Sequence, residues 1–132
     1  MKSYLLDSYA LISYLNAERG HESVSEILSQ SQQSDRAVRL CIVNYGEVLY
    51  HALRTGGKEK ERETDELIKI LPLDIINIDI ALTRQAAYFK AFYKISYADA
   101  FAASTAKLFN LTLVTGDKEF KSIEKEIKIE WI

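Results

Sequence analysis

Four carboxylates in this 132-residue chain stand where they could do chemistry. Asp7 ends the run L-L-D, Glu47 ends N-Y-G-E, Asp99 sits in Y-A-D-A, and Asp117 ends V-T-G-D. An aspartate directly behind core strand residues, as at Asp7 and Asp117, is a costly choice, because an ionised carboxylate resists leaving water. Taken singly, Glu47 and Asp99 have a simpler account, since acids in first helical turns answer the helix dipole and complete capping boxes. Taken together, the four argue for a cation. Two carboxylates about 4 Å apart in a protein-like dielectric repel by about 4 kcal/mol. A cluster of four needs protons or metal ions to neutralise it. An oxygen-only set without His or Cys suits a hard ion, Mg²⁺ or Mn²⁺. Such ions bind phosphate and activate water, so phosphoryl transfer is the chemistry expected. One ion would hold the scissile phosphate and the attacking water, and a second would stabilise a leaving 3′ oxygen. The residues do not say which acid, if any, serves as general base.

Positions so far apart in the chain must be gathered by the fold. Short apolar runs predict strands at 3–6, 38–43, 73–78, 111–114 and 128–132, the last at an edge. Apolar residues at helical spacing predict helices at 8–16, 21–31, 45–54, 58–71 and 80–93, with residues 29–35 a polar loop or frayed end. Asn44 reads as the cap of the 45–54 helix, with Glu47 in its first turn, Gly56-Gly57 as its end, and Pro72 as the stop of the next. Asp79 reads as a cap only. Ser96 caps an alanine-rich helix with Asp99 three residues on, and Asn110 stops it. A short helix is expected over 117–123. Strands alternating with helices imply a three-layer α/β/α sandwich with a mostly parallel central sheet. Right-handed crossovers then put Asp7, Glu47 and Asp117 on the carboxyl rim, where open α/β sheets place their sites. Asp99 joins them if its helix begins at that rim.

The totals fit a single domain over residues 1–132. Hydrophobic residues make up 48% and charged residues 27%, which argues against disorder. One proline and five glycines leave little room for a linker. The lone Cys41 excludes an intrachain disulfide framework and reads as a buried thiol in a reducing compartment. Asp7 interrupts the first apolar run and no small-residue cleavage site follows, so no signal peptide is expected. No membrane span is expected either, and the chain reads as cytoplasmic. A net charge of −2 is not that of a protein held to nucleic acid by bulk electrostatics. Any RNA would be drawn by bound cations or by a local patch such as Lys118 and Lys121.

Read together, A-D-A-F-A-A-S-T-A, an apolar strand and T-G-D-K-E-F resemble the C-terminal half of a PIN domain, a family of metal-dependent nucleases. The resemblance extends from Leu5 to Phe120 through L-L-D-S-Y-A-L-I and N-Y-G-E-V-L. It implies that Asp7 and Asp99 are the chief metal ligands and that Glu47 and Asp117 complete the acidic pocket, partly through water. Ser8 and Thr115 match small polar positions that orient the acids or the phosphate, and Glu119 falls where many relatives carry another acid. The resemblance is to VapC-type toxins in particular. It implies a Mg²⁺- or Mn²⁺-dependent ribonuclease, a homodimer, and a VapB-like antitoxin that fills the acidic pocket with an arginine.

Other readings of the residues are weaker. A PIN-fold binding module without activity would have no reason to keep so repulsive a cluster. A PIN nuclease of RNA processing or decay would share the site and differ in role, and a DNA-directed or flap-type nuclease would share the chemistry. A receiver-like domain would want adjacent acids after its first strand, where Asp7 stands alone. His51 shares a helix face with Glu47, but no second histidine supports a metal site of that kind. The eight tyrosines suit base stacking, although apolar neighbours favour core packing.

Overall fold

A computed structural model describes residues 2–132 of the chain. The elements run β1 (Tyr4–Leu6), α1 (Ser8–Leu15), α2 (His21–Ser34), β2 (Val38–Cys41), α3 (Ile42–Ile70), β3 (Leu73–Ile76), α4 (Ile80–Phe92) and α5 (Tyr97–Leu108). Then come β4 (Thr112–Thr115), a 3₁₀ turn (Lys118–Ile123) and β5 (Lys128–Trp131). The five strands form one sheet in the order β3-β2-β1-β4-β5, and every neighbouring pair is parallel. Successive strand residues face opposite sides, so β1 divides the core. Leu5 joins Leu113, Phe89, Phe120 and the alanines of α5 on one face. Leu6 joins Leu40, Val114, Leu11, Val24 and Val48 on the other. Helices therefore cover both faces, giving the three-layer sandwich expected.

Small residues set how closely α4 and α5 pack. Ala100, Ala102, Ala103 and Ala106 are buried, and the Ser104 hydroxyl donates to the Leu82 carbonyl at 2.7 Å. A larger side chain there would push the helices apart and leave that carbonyl without its side-chain partner.

α3 is broken at Gly57, whose φ of 72° lies in a region that L side chains rarely adopt. The break reverses the chain. Tyr45 donates its hydroxyl to Asp65 at 2.6 Å, although a straight helix would hold residues 20 positions apart at about 30 Å. Gly56-Gly57 does end one helix and begin another, as the sequence suggests.

The sequence reading departs from the structure in four places. β2 stops at Cys41, and α3 begins at Ile42 with no side-chain cap. Asn44 is therefore inside the helix and is not its cap, and Glu47 stands in the second turn. α2 continues to Ser34, because Ser31 is buried and its hydroxyl donates to the Arg36 carbonyl, which gives the polar tail a reason to stay helical. β3 ends at Ile76. The tyrosines divide evenly: Tyr9, Tyr50, Tyr88 and Tyr97 are exposed, while Tyr4, Tyr14, Tyr45 and Tyr93 are half-buried and pack against the core. Among the described residues, no helix is long and apolar enough to cross a membrane.

Candidate metal centre

The chain leaves β1 for β2 on one side, while β4 lies against β1 on the other. This divergence is a topological switch point, and the crevice outside the carboxyl ends of β1 and β4 is where such sheets take ligands. Asp7 follows β1 and Asp117 follows β4.

Asp7 is almost wholly buried, and both its carboxylate oxygens are occupied. Oδ1 accepts from the Ala10 amide at 2.8 Å and so caps α1. Oδ2 accepts from the Thr115 hydroxyl at 2.5 Å. Thr115 Oγ1 in turn accepts the Asp117 amide at 3.0 Å. One buried hydroxyl thus joins the first acid to the last, across a sequence separation of 108 residues. Asp117 Oδ1 accepts the Glu119 amide at 3.0 Å and starts the 3₁₀ turn, which Phe120 and Ile123 anchor in the core.

Asp99 settles the question left open at its helix. The Ser96 hydroxyl oxygen accepts the Asp99 amide at 3.1 Å, which caps α5 and leaves the Asp99 carboxylate free of that task. Asp99, Asp117 and Glu119 each bring one carboxylate oxygen within 4.8 Å of the others, close enough for one ion. Asp99 is buried, Asp117 half-buried and Glu119 exposed, so the trio opens outward. Asp7 and Glu47 lie outside that trio. Glu47 is half-buried and accepts from Asn44 Nδ2 at 2.8 Å through Oε1. Ser8, half-buried beside Asp7, makes no side-chain hydrogen bond among the described residues. Glu119 is drawn in by the Asx-type turn at Asp117, and its signal in the sequence was the resemblance, in which many relatives carry another acid at that position.

The electrostatics tie all four acids together. Burial pushes the Asp7 carboxyl from its ordinary 3.8 up to about 7, against the lowering effect of Thr115 and Ala10, and the charges of Asp117 and Glu47 raise it further. Burial likewise pushes Asp99 up to about 7, reinforced by Asp117, Asp7 and Glu47 and opposed by Ser96. A site of this kind is short of positive charge. The donor set is all carboxylate, which fits a hard divalent ion.

Gly116 separates Thr115 from Asp117 beneath the Tyr9 ring. A Cβ there would meet Tyr9 Cε1 at 2.3 Å and Cζ at 2.7 Å. Gly116→Ala is therefore expected to lower stability by about 1–3 kcal/mol, as overpacking does. Tyr9→Ala should recover most of that loss when combined with it. Denaturant melts of both single variants and the double variant test this, and simple additivity of the two losses would refute the clash.

The PIN domain family model matches residues 4–126, most of the chain. No curated protein sequence matches it. Solved structures are similar at low identity. VapBC2 from Rickettsia felis, bound to a DNA fragment from its promoter, aligns with a TM-score of 0.78 at 21% identity over 96% of both chains. A toxin–antitoxin complex from Klebsiella pneumoniae aligns with a TM-score of 0.67 at 25% identity over 92% of both chains. VapC20 from Mycobacterium tuberculosis, a sarcin–ricin loop cleaving toxin, aligns with a TM-score of 0.72 at 14% identity over 92% of this chain and 95% of that one.

Proposed function

The chain belongs to the PIN domain family, and from that premise we propose that it is a Mg²⁺- or Mn²⁺-dependent endoribonuclease, the toxin of a VapBC-type pair. The observation that carries the reading is the gathering of carboxylates at the β1/β4 switch point, where Asp99, Asp117 and Glu119 each bring an oxygen within 4.8 Å of the others and the buried Asp7 ends β1. Such a cluster is poorly suited to an empty protein at neutral pH and well suited to a bound cation.

In this reading Asp99, Asp117 and Glu119 offer the open face of the ligand set, and Asp7 and Glu47 supply negative charge behind it. A bound divalent ion supplies an activated water and charge neutralisation at the scissile phosphate. Thr115 holds the Asp7 carboxylate and the Asp117 backbone in one register. Lys118 and Lys121, exposed on the 3₁₀ turn next to Asp117 and Glu119, offer cations to the RNA backbone.

The toxin role is supported by the similar structures, which include VapBC assemblies, one of them bound to promoter DNA. A VapB-like antitoxin would then cover the acidic crevice. An arginine is the suitable plug, because its planar fork pairs bidentately with carboxylates.

Purified protein incubated with a mixed RNA pool should cut in Mn²⁺ or Mg²⁺ and not in EDTA. Asp99→Asn should lower the rate by at least about 100-fold, the scale of losing a charge-stabilising group at a reacting centre. Cleavage that persists in EDTA, or an unchanged rate in Asp99→Asn, would refute the assignment. Sequencing the cut ends would begin to name the target.

A further inference from the structure

Asn44 Oδ1 is the one buried side-chain polar atom that finds no hydrogen-bond partner among the described residues. The residue is fully buried in the first turn of α3, three positions before Glu47 and so on the same helix face. Its Nδ2 donates to Glu47 Oε1 at 2.8 Å. That contact fixes which way the amide points, because an ionised carboxylate only accepts and must face the nitrogen. The amide oxygen is thereby left as a buried, unpartnered acceptor on a residue bonded to one of the four acids.

An unpartnered buried acceptor costs about 1–3 kcal/mol, whereas an apolar side chain of similar shape would carry no such cost. The anomaly is resolved if the missing donor is not part of the chain. The chemistry narrows what that donor is. It must reach an acceptor held against Glu47, whose charge is felt at both Asp7 and Asp99. Water on a divalent cation is such a donor. Its O–H groups are polarised by the ion, and Mg²⁺ in particular keeps several of its waters when bound.

We infer that Asn44 is a positioning residue of the metal centre. Its Nδ2 orients Glu47, and its Oδ1 accepts a hydrogen bond from a water in the ion's hydration shell. The inference rests on the metal-dependent reading above and adds a residue to it. Partners that stand behind the ligands of a metal commonly contribute 10–100-fold to affinity.

The test uses the whole chain and Mn²⁺ alone, followed by calorimetric titration at pH 8 and by thermal melts with and without the ion. Asn44→Leu removes both hydrogen bonds while keeping the bulk. Without metal it should melt at or above the wild-type temperature, and it should bind Mn²⁺ about 10–100-fold more weakly. Asn44→Asp keeps an acceptor at the same place but sets a carboxylate against Glu47. It should melt below wild type without metal and bind Mn²⁺ at least as tightly. A merely structural asparagine would not give these opposite shifts. Wild-type binding with Asn44→Leu unchanged overturns the role of Asn44 alone, and so does weakened binding in Asn44→Asp should the leucine variant not fold. Wild-type protein that binds no Mn²⁺ overturns the metal centre itself.

Discussion

Asp7→Asn is expected to abolish RNA cleavage, by about 1,000-fold or more, and to make the metal-free protein more stable at pH 8. Both effects come from one charge. Asn is isosteric with Asp and keeps the local contacts. Its Oδ1 still accepts from the Ala10 amide, and its Nδ2 can donate to Thr115 Oγ1, which leaves the Thr115 hydroxyl proton without the acceptor that Asp7 supplied and offsets part of the gain below. The lost negative charge is what the ion needs, and the ion in turn would neutralise the negative charge that develops on the phosphate oxygens. About 4 kcal/mol of transition-state stabilisation corresponds to three powers of ten. The same charge burdens the folded apoprotein. A carboxyl raised from 3.8 to about 7 costs roughly 4 kcal/mol when ionised, at 1.36 kcal/mol per unit. Asparagine removes that cost, so the variant's metal-free melting temperature should rise by several degrees. Single-turnover cleavage and thermal melts in EDTA measure the two halves. A variant that loses activity but also melts lower would mean that Asp7 is a structural cap whose loss disrupts the site. Such opposition between stability and activity is common where a site concentrates like charges.

The sequence was informative where the physics is local and one-sided. Asp7 and Asp117 could be placed because they stand one and two residues past the ends of buried strands, and such a strand gives a short apolar run with few alternatives. Ser96 and Asp79 were legible because a side-chain cap leaves a chemical mark: each accepts the amide three residues on, at 3.1 and 2.9 Å. Asn44 was misread by the same rule. α3 starts at Cys41 on backbone geometry alone, with no capping side chain, and a cap of that kind leaves no residue signal. The nearest good capping residue was therefore taken for the start. Three positions inside the helix, Asn44 instead bonds Glu47.

Glu119 shows the opposite difficulty. The resemblance marked its position as one where many relatives carry another acid, but the residue by itself does not differ from a surface glutamate. What brings it to Asp99 is the tight turn that Asp117 closes by accepting its amide. That turn depends on Phe120 packing into the same core cluster as the alanines of α5. No window of sequence around Glu119 contains that information. The tyrosines divided between core and solvent for a related reason. Apolar neighbours along a helix place a tyrosine near the core boundary, and the phenol then decides between burial and water. The whole arrangement turns on Thr115, whose single hydroxyl serves two acids from opposite ends of the chain.

The raised carboxyls give the second large effect, a stability that falls as pH rises. Asp7 and Asp99 each have a folded value of about 7 against an ordinary 3.8. Below about 3.8 both groups are protonated whether the chain is folded or not. Between 3.8 and 7 the folded protein keeps protons that the unfolded chain has released, so folding is favoured less with each step up in pH. Above 7 both groups are ionised in the fold and their full cost is present. From pH 5.5 to 8, Asp7 alone should remove about 2 kcal/mol, the 1.5 units up to its folded value at 1.36 kcal/mol each. Asp99 acts in the same direction, and the charge of Asp7 is among the causes that raise it, so the two are coupled. Metal reverses the trend, because it binds the ionised carboxylates and competes with protons. An ion at 100 times its Kd adds about 2.7 kcal/mol to the folded state. Thermal melts should therefore show the metal-free protein more stable at pH 5.5 than at pH 8. Mn²⁺ should raise the melting temperature strongly at pH 8 and little at pH 5.5. A metal-free protein that gains stability between those two values would refute the electrostatic account of the cluster. An ion effect equal at both would show that the cation binds somewhere other than these acids.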